Sequence, residues 1–265
     1  MIKITTHTIV KNEENWVWYS LMSVKDAVER MLVFDDHSTD HTAEIIKMIK
    51  DPKIKFDSGS LNSPEDHTRA RNTMIRETET DWFMLLDGDE VWNEKTLRAL
   101  RQLLERAGPE IYGVAMRTRN CVGDIYHYLP EEAGNYRLLG RKGHLTIRAY
   151  RKLPGFSWRG NYPLEAYTDG EGRPVNNQEE HLRFFDAYYW HLTHLKRSGS
   201  RESVKGWRKR KYEIGITVGD KAEFPEVFSL PGPEIAPSPW VKMDDGEYLL
   251  SMLATPLKRL KRKLL

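Results

Sequence analysis

The stretch WFMLLDGDEVW occupies residues 82–92 and joins a short apolar run to a cluster of acidic residues. Trp82 to Leu86 has the length and composition of a buried strand. The acids that follow, AspGlyAspGlu at 87–90, then lie at the carboxyl end of that strand. Because ligands of open α/β sheets bind beyond the carboxyl ends of the strands, we expect the chemistry of this protein at that edge.

The residues before this stretch alternate strand and helix signals with short spacers. The predicted elements are strands at 2–10, 31–35, 53–56 and 82–86, and helices at 17–28, around 45–49, at about 65–78 and at 94–106. Asn93 is the predicted cap of the last helix. This alternation is typical of a parallel sheet wrapped by helices, so residues 1–107 are predicted to form an α/β unit.

After Gly108 and Pro109 the predicted strands become longer, at 112–118 and 144–151, and the loops are rich in glycine and aromatic residues. We interpret residues 1–107 and 108–215 as two halves of one α/β domain. Residues 216–265 are interpreted as a Pro-rich arm, FPEVFSLPGPEIAPSPW at 224–240, followed by a basic tail.

Composition excludes several classes of protein. The 265 residues include 41 Lys plus Arg against 39 Asp plus Glu, and this near balance argues against a dedicated nucleic-acid binder. With 39% hydrophobic residues and no apolar run near the roughly 18 residues of a membrane span, a globular protein is expected. The single cysteine, Cys121, and an N-terminus without a secretory pattern favour a cytoplasmic location.

Three polar clusters are predicted to share one edge of the sheet. They are ValLysAsnGlu at 10–13, AspAspHisSerThrAsp at 35–40 and AspGlyAspGlu at 87–90. No Gly-rich phosphate loop follows the first strand, so a bound diphosphate needs another partner. Asp87 and Asp89 present hard oxygen ligands that suit Mg²⁺ or Mn²⁺, and such an ion would hold the phosphates. A solvated turn at a strand end is the alternative.

The order of four segments resembles the nucleotide-sugar-binding half of family-2 glycosyltransferases with the GT-A fold. The segments are TIVKNEENW at 8–16, VFDDHSTDHTAEI at 33–45, HTRARN at 67–72 and WFMLLDGDEVW at 82–92. The resemblance implies a Rossmann-type, mostly parallel sheet flanked by helices, with a mixed second half that binds the acceptor. It also implies transfer of a sugar from a nucleotide diphosphate donor, with inversion at the anomeric carbon and a divalent metal, Mn²⁺ or Mg²⁺.

The resemblance further implies roles for single residues. Those assigned to the nucleotide are Val10, Glu13, Asp35, Asp36, Asp87 and either Arg69 or Arg71. Asp36 would recognise the base, Asp87 would face the ribose or the metal, and Asp89 would bind the metal directly. His37 and His41 stand where the family usually has glycine, and we interpret them as solvent-facing changes in a loop.

An inverting transfer needs a carboxylate that takes the proton of the acceptor hydroxyl. The segment TIRAYRKLPGFSWRGNYPLEAY at 146–167 resembles the part of the family that ends in such an acid, and Glu165 occupies that place. Leu164 replaces the histidine that often precedes it. The alternatives are that Glu165 is a salt-bridged structural acid, and that Asp169 or Asp186 is the base.

The segment AYYWHLTHLKRSGSR at 187–201 carries two histidines followed by cations. Members of this fold often bring a late histidine to the metal, and His191 is preferred over His194 for that role. A hydrogen-bonded histidine at a helix start is the alternative for either residue. The cations predicted to stabilise the leaving diphosphate are Lys196, Arg197 and Arg201, with a solvated helix face as the alternative.

The closing residues PLKRLKRKLL contain five cations and no acid, interleaved with leucines at near-helical spacing. Such a tail can lie on an anionic membrane surface and bring the enzyme to a lipid-linked acceptor at the inner membrane face. A solvated end and a partner-binding helix remain the alternatives.

We therefore expect an inverting, metal-dependent glycosyltransferase that uses a glycan or a lipid-linked acceptor. One alternative is a phosphohydrolase of the haloacid-dehalogenase kind, with Asp87 as nucleophile, Asp89 as acid/base and IGITVGDKAE at 214–223 as its late strand. Another is a non-catalytic sugar- or nucleic-acid-binding module that uses Trp207, Trp240 and the basic run from Lys196 to Lys211.

Overall fold

The computed structural model describes residues 2–195 and 211–264, and within them the chain folds around a ten-stranded sheet. The helices are α1 Val17–Val24, α2 Thr42–Met48, α3 Pro64–Glu77, α4 Glu94–Arg106 and α5 Asp245–Leu264. The strands are β1 Ile4–Val10, β2 Arg30–Asp35, β3 Ile54–Ser58, β4 Trp82–Leu85, β5 Glu90–Val91, β6 Gly113–Val122, β7 Asp124–Tyr128, β8 Tyr136–Leu138, β9 Arg141–Gly143, β10 Leu145–Arg151, β11 Ser157–Arg159, β12 Ala166–Thr168, β13 Leu182–His194 and β14 Ile216–Thr217.

The strand order in the main sheet is β14-β7-β6-β10-β4-β1-β2-β3. The four strands β3, β2, β1 and β4 are parallel, as the first half of the sequence predicts. β10 is antiparallel to both β4 and β6, and β13 runs parallel to β6 and antiparallel to β5. The fold class is therefore confirmed: a largely parallel sheet flanked by helices continues into a mixed second half.

The predicted strands and helices of the first half all form because their local signals agree with one another, although α1 ends at Val24 instead of residue 28. All four residues of β4 are buried, as expected for a parallel strand covered on both faces. α3 begins with a capping box between Ser63 and Asp66, with Pro64 in its first turn. α4 turns Leu97, Leu100 and Leu104 towards the core at helical spacing.

The sequence underestimates the length of β6, which continues past Thr118 to Val122. The polar residue Arg119 lies in this extension, and its guanidinium carbon is 3.7 Å from the centroid of the Tyr188 ring and 4.9 Å from that of Trp190. These rings belong to β13, which pairs with β6 and is a strand rather than the helix start considered for His191 and His194. The contacts between distant segments that bury Arg119 cannot be read from local sequence.

The Pro-rich arm forms turns and short 3₁₀ helices that pack on the body of the protein. Val227 and Phe228 are buried in the same core as α1, and the Tyr19 hydroxyl of α1 donates a hydrogen bond of 2.9 Å to the Pro237 carbonyl. Residues 216–217, at the predicted start of the arm, pair as β14 with β7. The arm is thus joined to the sheet rather than free of it.

The helix α5 has an unusual orientation, because its polar residues face the body. Glu247, Ser251 and Thr255 are its buried residues, and Arg262 donates two hydrogen bonds of 2.6 and 2.5 Å to buried Glu213. Its leucines face outwards. Among the residues that the structure describes, no helix combines the length and the apolar composition that a membrane crossing requires.

Gly88 lies where the turn after β4 packs against the end of β1. A Cβ atom at this position would lie 2.8 Å from Val10 Cγ1 and 3.0 Å from Glu13 Cγ, whereas a Cβ at Gly170 would have no neighbour within 4 Å. Glycine is therefore required at residue 88 by close packing.

We expect Gly88→Ala to lower the free energy of unfolding by about 1–3 kcal/mol, because the added methyl group overpacks this junction. Gly170→Ala is the matched control and should change stability by no more than about 1 kcal/mol, with a small gain expected from the less flexible unfolded chain. Urea unfolding followed by circular dichroism measures both. Equal stability of the two variants would contradict the close approach.

Candidate active site

The carboxyl ends of β1, β2 and β4 meet at one edge and bring the three predicted polar clusters together. β1 pairs in parallel register with β2 on one side and β4 on the other. The Asp36 amide donates a hydrogen bond of 2.8 Å to the Val10 carbonyl, which joins the first two clusters. Gly88 allows the third cluster to pack on Val10 and Glu13.

The two aspartates after β2 have different environments. Both Asp35 oxygens accept hydrogen bonds from Ser38, one from its amide and one from its hydroxyl, so Asp35 shapes its own loop. Asp36 accepts a hydrogen bond of 2.8 Å from the Leu61 amide and forms a 2.8 Å ion pair with Lys11, whose side chain is 48% exposed. Because Lys11 is exposed, a ligand can displace it from Asp36 more easily than it could displace a backbone amide. The Asp36 oxygen that pairs with Lys11 is therefore better placed than either Asp35 oxygen to recognise a nucleobase.

His37 and His41 are exposed, in agreement with their interpretation as loop changes. His37 Nδ1 is 2.6 Å from the Ser60 hydroxyl, and His41 Nδ1 is 3.0 Å from the Glu44 carboxylate. The residue at 37 adopts a positive φ of 43°, a conformation in which glycine is less strained.

Asp87, Asp89 and His191 form a compact group whose ligand atoms all lie within 4.8 Å of one another. His191 Nε2 is 3.4 Å from Asp89 Oδ1. The Leu192 amide donates a hydrogen bond of 2.8 Å to the Asp89 carbonyl, which fixes β13 beside the turn after β4. His194 lies three residues further along the chain and is not a member of this group, so the geometry agrees with the preference for His191.

The residues of this group fit a divalent cation. Asp89 is only 2% exposed, and two carboxylates this close repel each other in a poorly solvated site unless a cation lies between them. His191 Nε2 is buried and has no hydrogen-bond partner, so it is available as a ligand. Two carboxylates and one neutral imidazole form a donor set suited to Mn²⁺ or Mg²⁺, with coordination sites left for phosphate oxygens.

Arg148 is the functional residue that sequence reasoning missed. Its guanidinium contacts fully buried Glu90, lies 3.2 Å from Asp87 Oδ2 and donates a hydrogen bond of 3.0 Å to the Tyr189 hydroxyl. Burial opposes the charge of Arg148, but the carboxylates of Glu90 and Asp87 outweigh it and raise the pKa of Arg148. Arg148 stands between Ile147 and Ala149 in the strand LTIRAYR, and a cation between apolar strand residues is the sequence signal for a buried partner.

Arg148 also sets the charge state of Asp87. Burial alone would raise the pKa of this carboxyl, but the Arg148 guanidinium lowers it below its usual value. Asp87 is therefore ionised and available as a metal ligand at neutral pH.

Glu165 lies in a cleft of about 750 Å³ that is also lined by Arg148 and His191. Its side chain is 7% exposed, and its Oε1 accepts a hydrogen bond of 3.2 Å from Arg71 Nε. Its Oε2 is buried and has no hydrogen-bond partner. Glu165 is therefore a salt-bridged acid that still has one oxygen available to a ligand. This geometry is compatible with both a structural role and the role of a base.

The HTRARN element positions this carboxylate. Asn72 on α3 exchanges two hydrogen bonds of 2.8 Å with the backbone of Trp158, and the Arg71 guanidinium carbon lies 5.1 Å from the Trp158 ring centroid. Arg69 instead forms an ion pair with Asp66 and is 70% exposed. Contact of either arginine with a nucleoside stays a prediction.

The other predicted residues lie elsewhere. Asp169 accepts hydrogen bonds from the amides of Glu171 and Arg173 and so stabilises its own turn. Asp186 is 73% exposed and pairs with Arg117. Neither residue lines the cleft. The predicted diphosphate ligands Lys196, Arg197 and Arg201, and also Trp207, lie outside the described residues.

The fold and this carboxylate-bearing edge define an α/β protein of the GT-A type. Residues 5–168 match the family model described as Glycosyl transferase family 2. Because the match covers more than half of the chain, the chain belongs to this family, as the sequence predicts.

Two curated relatives match shorter regions. The SPbeta prophage-derived glycosyltransferase SunS of Bacillus subtilis (strain 168) is 33% identical over 93 residues, which are 35% of this chain and 21% of that protein. A TPR repeat-containing protein of Synechococcus elongatus is 29% identical over 110 residues, which are 40% of this chain and 25% of that protein. The chain thus spans only a fifth to a quarter of the length of these relatives.

Among solved structures, the chain is similar to S. aureus TarS 1–349 in complex with UDP-GlcNAc. The TM-score is 0.51 at 16% identity, with 77% of this chain and 62% of that chain covered. A likeness at this level of identity concerns the fold, and it agrees with the GT-A assignment.

We expect Asp89→Ala to weaken the Mn²⁺-dependent part of nucleoside diphosphate binding at least about tenfold, since loss of an outer-shell partner alone typically has an effect of that size. The nucleotide is the one that binds best in a screen of UDP, GDP, CDP and TDP. Asp36→Ala should weaken its binding both with and without Mn²⁺. Isothermal titration calorimetry in the two conditions separates these effects, with exposed Asp186→Ala as the matched control. Unchanged Mn²⁺-dependent binding by the Asp89 variant would remove Asp89 from the metal site.

Proposed function

We propose that this protein is an inverting glycosyltransferase that moves a sugar from a nucleotide diphosphate donor to an acceptor hydroxyl. The observation that carries the proposal is that Glu165 and the proposed metal ligand His191 line the same cleft. A base and a site for the leaving group are the two elements that a direct displacement needs.

In this proposal the donor lies across the carboxyl edge of the parallel strands. Asp36 recognises the base, and the nucleoside lies along Val10 to Glu13. Asp87, Asp89 and His191 would hold Mn²⁺ or Mg²⁺, which when bound neutralises the charge that develops on the leaving diphosphate. Arg148 keeps Asp87 ionised and in place for that task.

The chemical step then uses the Glu165 carboxylate. Its Oε2 takes the proton of the acceptor hydroxyl while the hydroxyl oxygen forms a bond to the anomeric carbon. The bond from that carbon to the diphosphate oxygen breaks at the same time, and the electron pair leaves with the nucleoside diphosphate. Attack from the face opposite the leaving group inverts the anomeric configuration. Arg71 holds the other oxygen of Glu165 and so fixes the direction of the base.

The phosphohydrolase alternative is less well supported. Its late acidic strand would be 214–223, but only Ile216 and Thr217 there form a strand, and they pair with β7 at the sheet end opposite β3. Asp87 is held by Arg148 and grouped with Asp89 and His191, which suits a metal ligand better than a nucleophile. The alternative of a non-catalytic binding module gives no role to Glu165 Oε2, which is buried without a hydrogen-bond partner.

We also propose that α5 binds an anionic membrane at its cytoplasmic face and so brings the enzyme to a lipid-linked acceptor. The leucines of its outward face recur at helical spacing and are more than half exposed: Leu250, Leu253, Leu257, Leu260 and Leu264. Lys261 and Lys263 are exposed beside this stripe, and cations that flank an apolar stripe are typical of helices that lie in a membrane interface.

We expect Glu165→Gln to lower turnover at least about a hundredfold and to leave UDP binding nearly unchanged, because a general base acts in the chemical step alone. Turnover is measured as donor-dependent release of UDP, and as product formation once an acceptor is found. Asp186→Asn is the matched control with normal turnover expected. A Glu165 variant with normal turnover, or a product with retained configuration, would contradict the mechanism.

We expect the triple variant Leu253→Gln, Leu257→Gln, Leu260→Gln to lose sedimentation with anionic vesicles and to keep UDP binding. Salt should also weaken the binding of the unaltered protein, because each cation near the bilayer contributes on the order of 1 kcal/mol that salt screens. Leu230→Gln, at a leucine 48% exposed outside α5, is the matched control. If the unaltered protein ignores anionic vesicles at low salt, α5 is not an anchor.

A further inference from the structure

The indole of Trp158 carries a polar group to which the proposed reaction gives no role. Trp158 lines the same cleft as Glu165 and is only 5% exposed. Its Nε1 is buried and has no hydrogen-bond partner. An indole N–H can only donate, and a buried donor without an acceptor has a free-energy cost that a bound ligand removes. The Trp158 N–H is therefore a donor that is available to a ligand.

The β11–β12 hairpin places Trp158 and Glu165 on the same face. Trp158 pairs with Tyr167 in antiparallel register, so two residues further along the hairpin Gly160 lies opposite Glu165. A Cβ atom at Gly160 would lie 3.5 Å from the Glu165 Cα atom, in agreement with this register. Alternate residues of a strand share a face, so Trp158 and Glu165 are diagonal neighbours, a spacing that an aromatic side chain can bridge.

Arg71 contacts both of these side chains. Its Nε donates a hydrogen bond of 3.2 Å to Glu165 Oε1, and its guanidinium carbon lies 5.1 Å from the Trp158 ring centroid. Asn72 binds the backbone of Trp158 through two hydrogen bonds of 2.8 Å, and the Tyr167 ring packs at 5.7 Å from the indole. The indole and the carboxylate are thus held beside each other by shared neighbours, while Glu165 Oε2 has no partner.

The two available atoms have complementary chemistry. The Trp158 N–H only donates, and the Glu165 carboxylate only accepts. A ligand group that satisfies both therefore has to accept one hydrogen bond and donate another, which a hydroxyl does through a single oxygen atom. An ammonium group has no lone pair for the indole, and a carboxylate has no proton for Glu165.

We infer that Trp158 binds the acceptor hydroxyl together with Glu165. This inference rests on the proposed function, in which Glu165 Oε2 takes the proton of that hydroxyl. The indole N–H binds one lone pair of the hydroxyl oxygen, and the second lone pair forms the bond to the anomeric carbon. The bond from that carbon to the diphosphate oxygen breaks, and its electron pair leaves with the nucleoside diphosphate. Trp158 thereby directs the attacking lone pair and makes the site selective for hydroxyl groups over ammonium groups.

The test measures hydrolysis of the donor, in which water supplies the hydroxyl. The donor is the UDP-, GDP-, CDP- or TDP-hexose that the unaltered protein hydrolyses fastest. Trp158→Phe keeps an aromatic ring beside Arg71 and removes the N–H. We expect kcat to fall about fivefold to tenfold, the effect of one hydrogen bond, and the KM for the donor to stay unchanged. Trp82→Phe is the matched control with normal kcat expected, because Trp82 Nε1 is also buried without a partner but does not line the cleft. A Trp158 variant with normal kcat would overturn the inference.

A second arm tests whether the indole and the carboxylate hold the same hydroxyl. In a Glu165→Gln background, Trp158→Phe should lower kcat clearly less than it does in the unaltered protein, because interactions with one shared group are not additive. Fully additive losses would mean that Trp158 only supports packing, and the inference would be wrong. Calorimetric binding of the nucleoside diphosphate with Mn²⁺ is measured on the same samples. If the unaltered protein hydrolyses no donor, the proposed function fails and the inference with it, whereas normal or additive behaviour of Trp158→Phe removes the inference alone.

Discussion

The contact of Arg148 with Asp87 and Glu90 is the constraint on which the active edge depends. Three carboxylates lie within the four residues 87–90 that follow β4 and Leu86, and one of them is fully buried. Burial raises the pKa of Glu90 well above its usual value, and the charges of Asp87 and Asp89 add to that rise, whereas the charge of Arg148 opposes it. The buried guanidinium neutralises part of that charge and, through the Tyr189 hydroxyl, ties β10 to β13. The geometry of the turn is thus maintained by a cation that belongs to the second half of the domain.

The proposed functional residues also come from both halves of the domain. The parallel strands present the edge proposed to bind the nucleotide, while the proposed base comes from the loop before β12. Arg71 joins the two, since it extends from α3 of the first half to Glu165 of the second. His191 makes a similar connection from β13 to Asp89. The site therefore exists only when both halves are folded against each other.

The sequence predicts those features whose signals are local. An apolar run followed by acids predicts β4 and the position of Asp87 and Asp89 after it. The helical spacing of apolar residues predicts α4, whose observed bounds are those predicted. Glu90 belongs to the same motif, but the motif does not predict its role, because the function of this buried carboxylate depends on a partner 58 residues away. The role of Arg148 cannot be predicted for the same reason. The length of β6 was underestimated because Arg119 looks like a strand end until the rings of β13 cover it.

The way α5 is attached has a thermodynamic consequence. Its inward face is small and polar, and the Thr255 hydroxyl accepts a hydrogen bond of 2.8 Å from the Ile214 amide beside the Glu213–Arg262 pair. Docking of this helix buries little apolar surface, so its detachment is accompanied by only a small change in heat capacity. The enthalpy of releasing α5 from the body therefore changes little with temperature, whereas the enthalpy of unfolding the sheet changes strongly. The leucine face of α5 is exposed in the docked state, and its exposure does not depend on release.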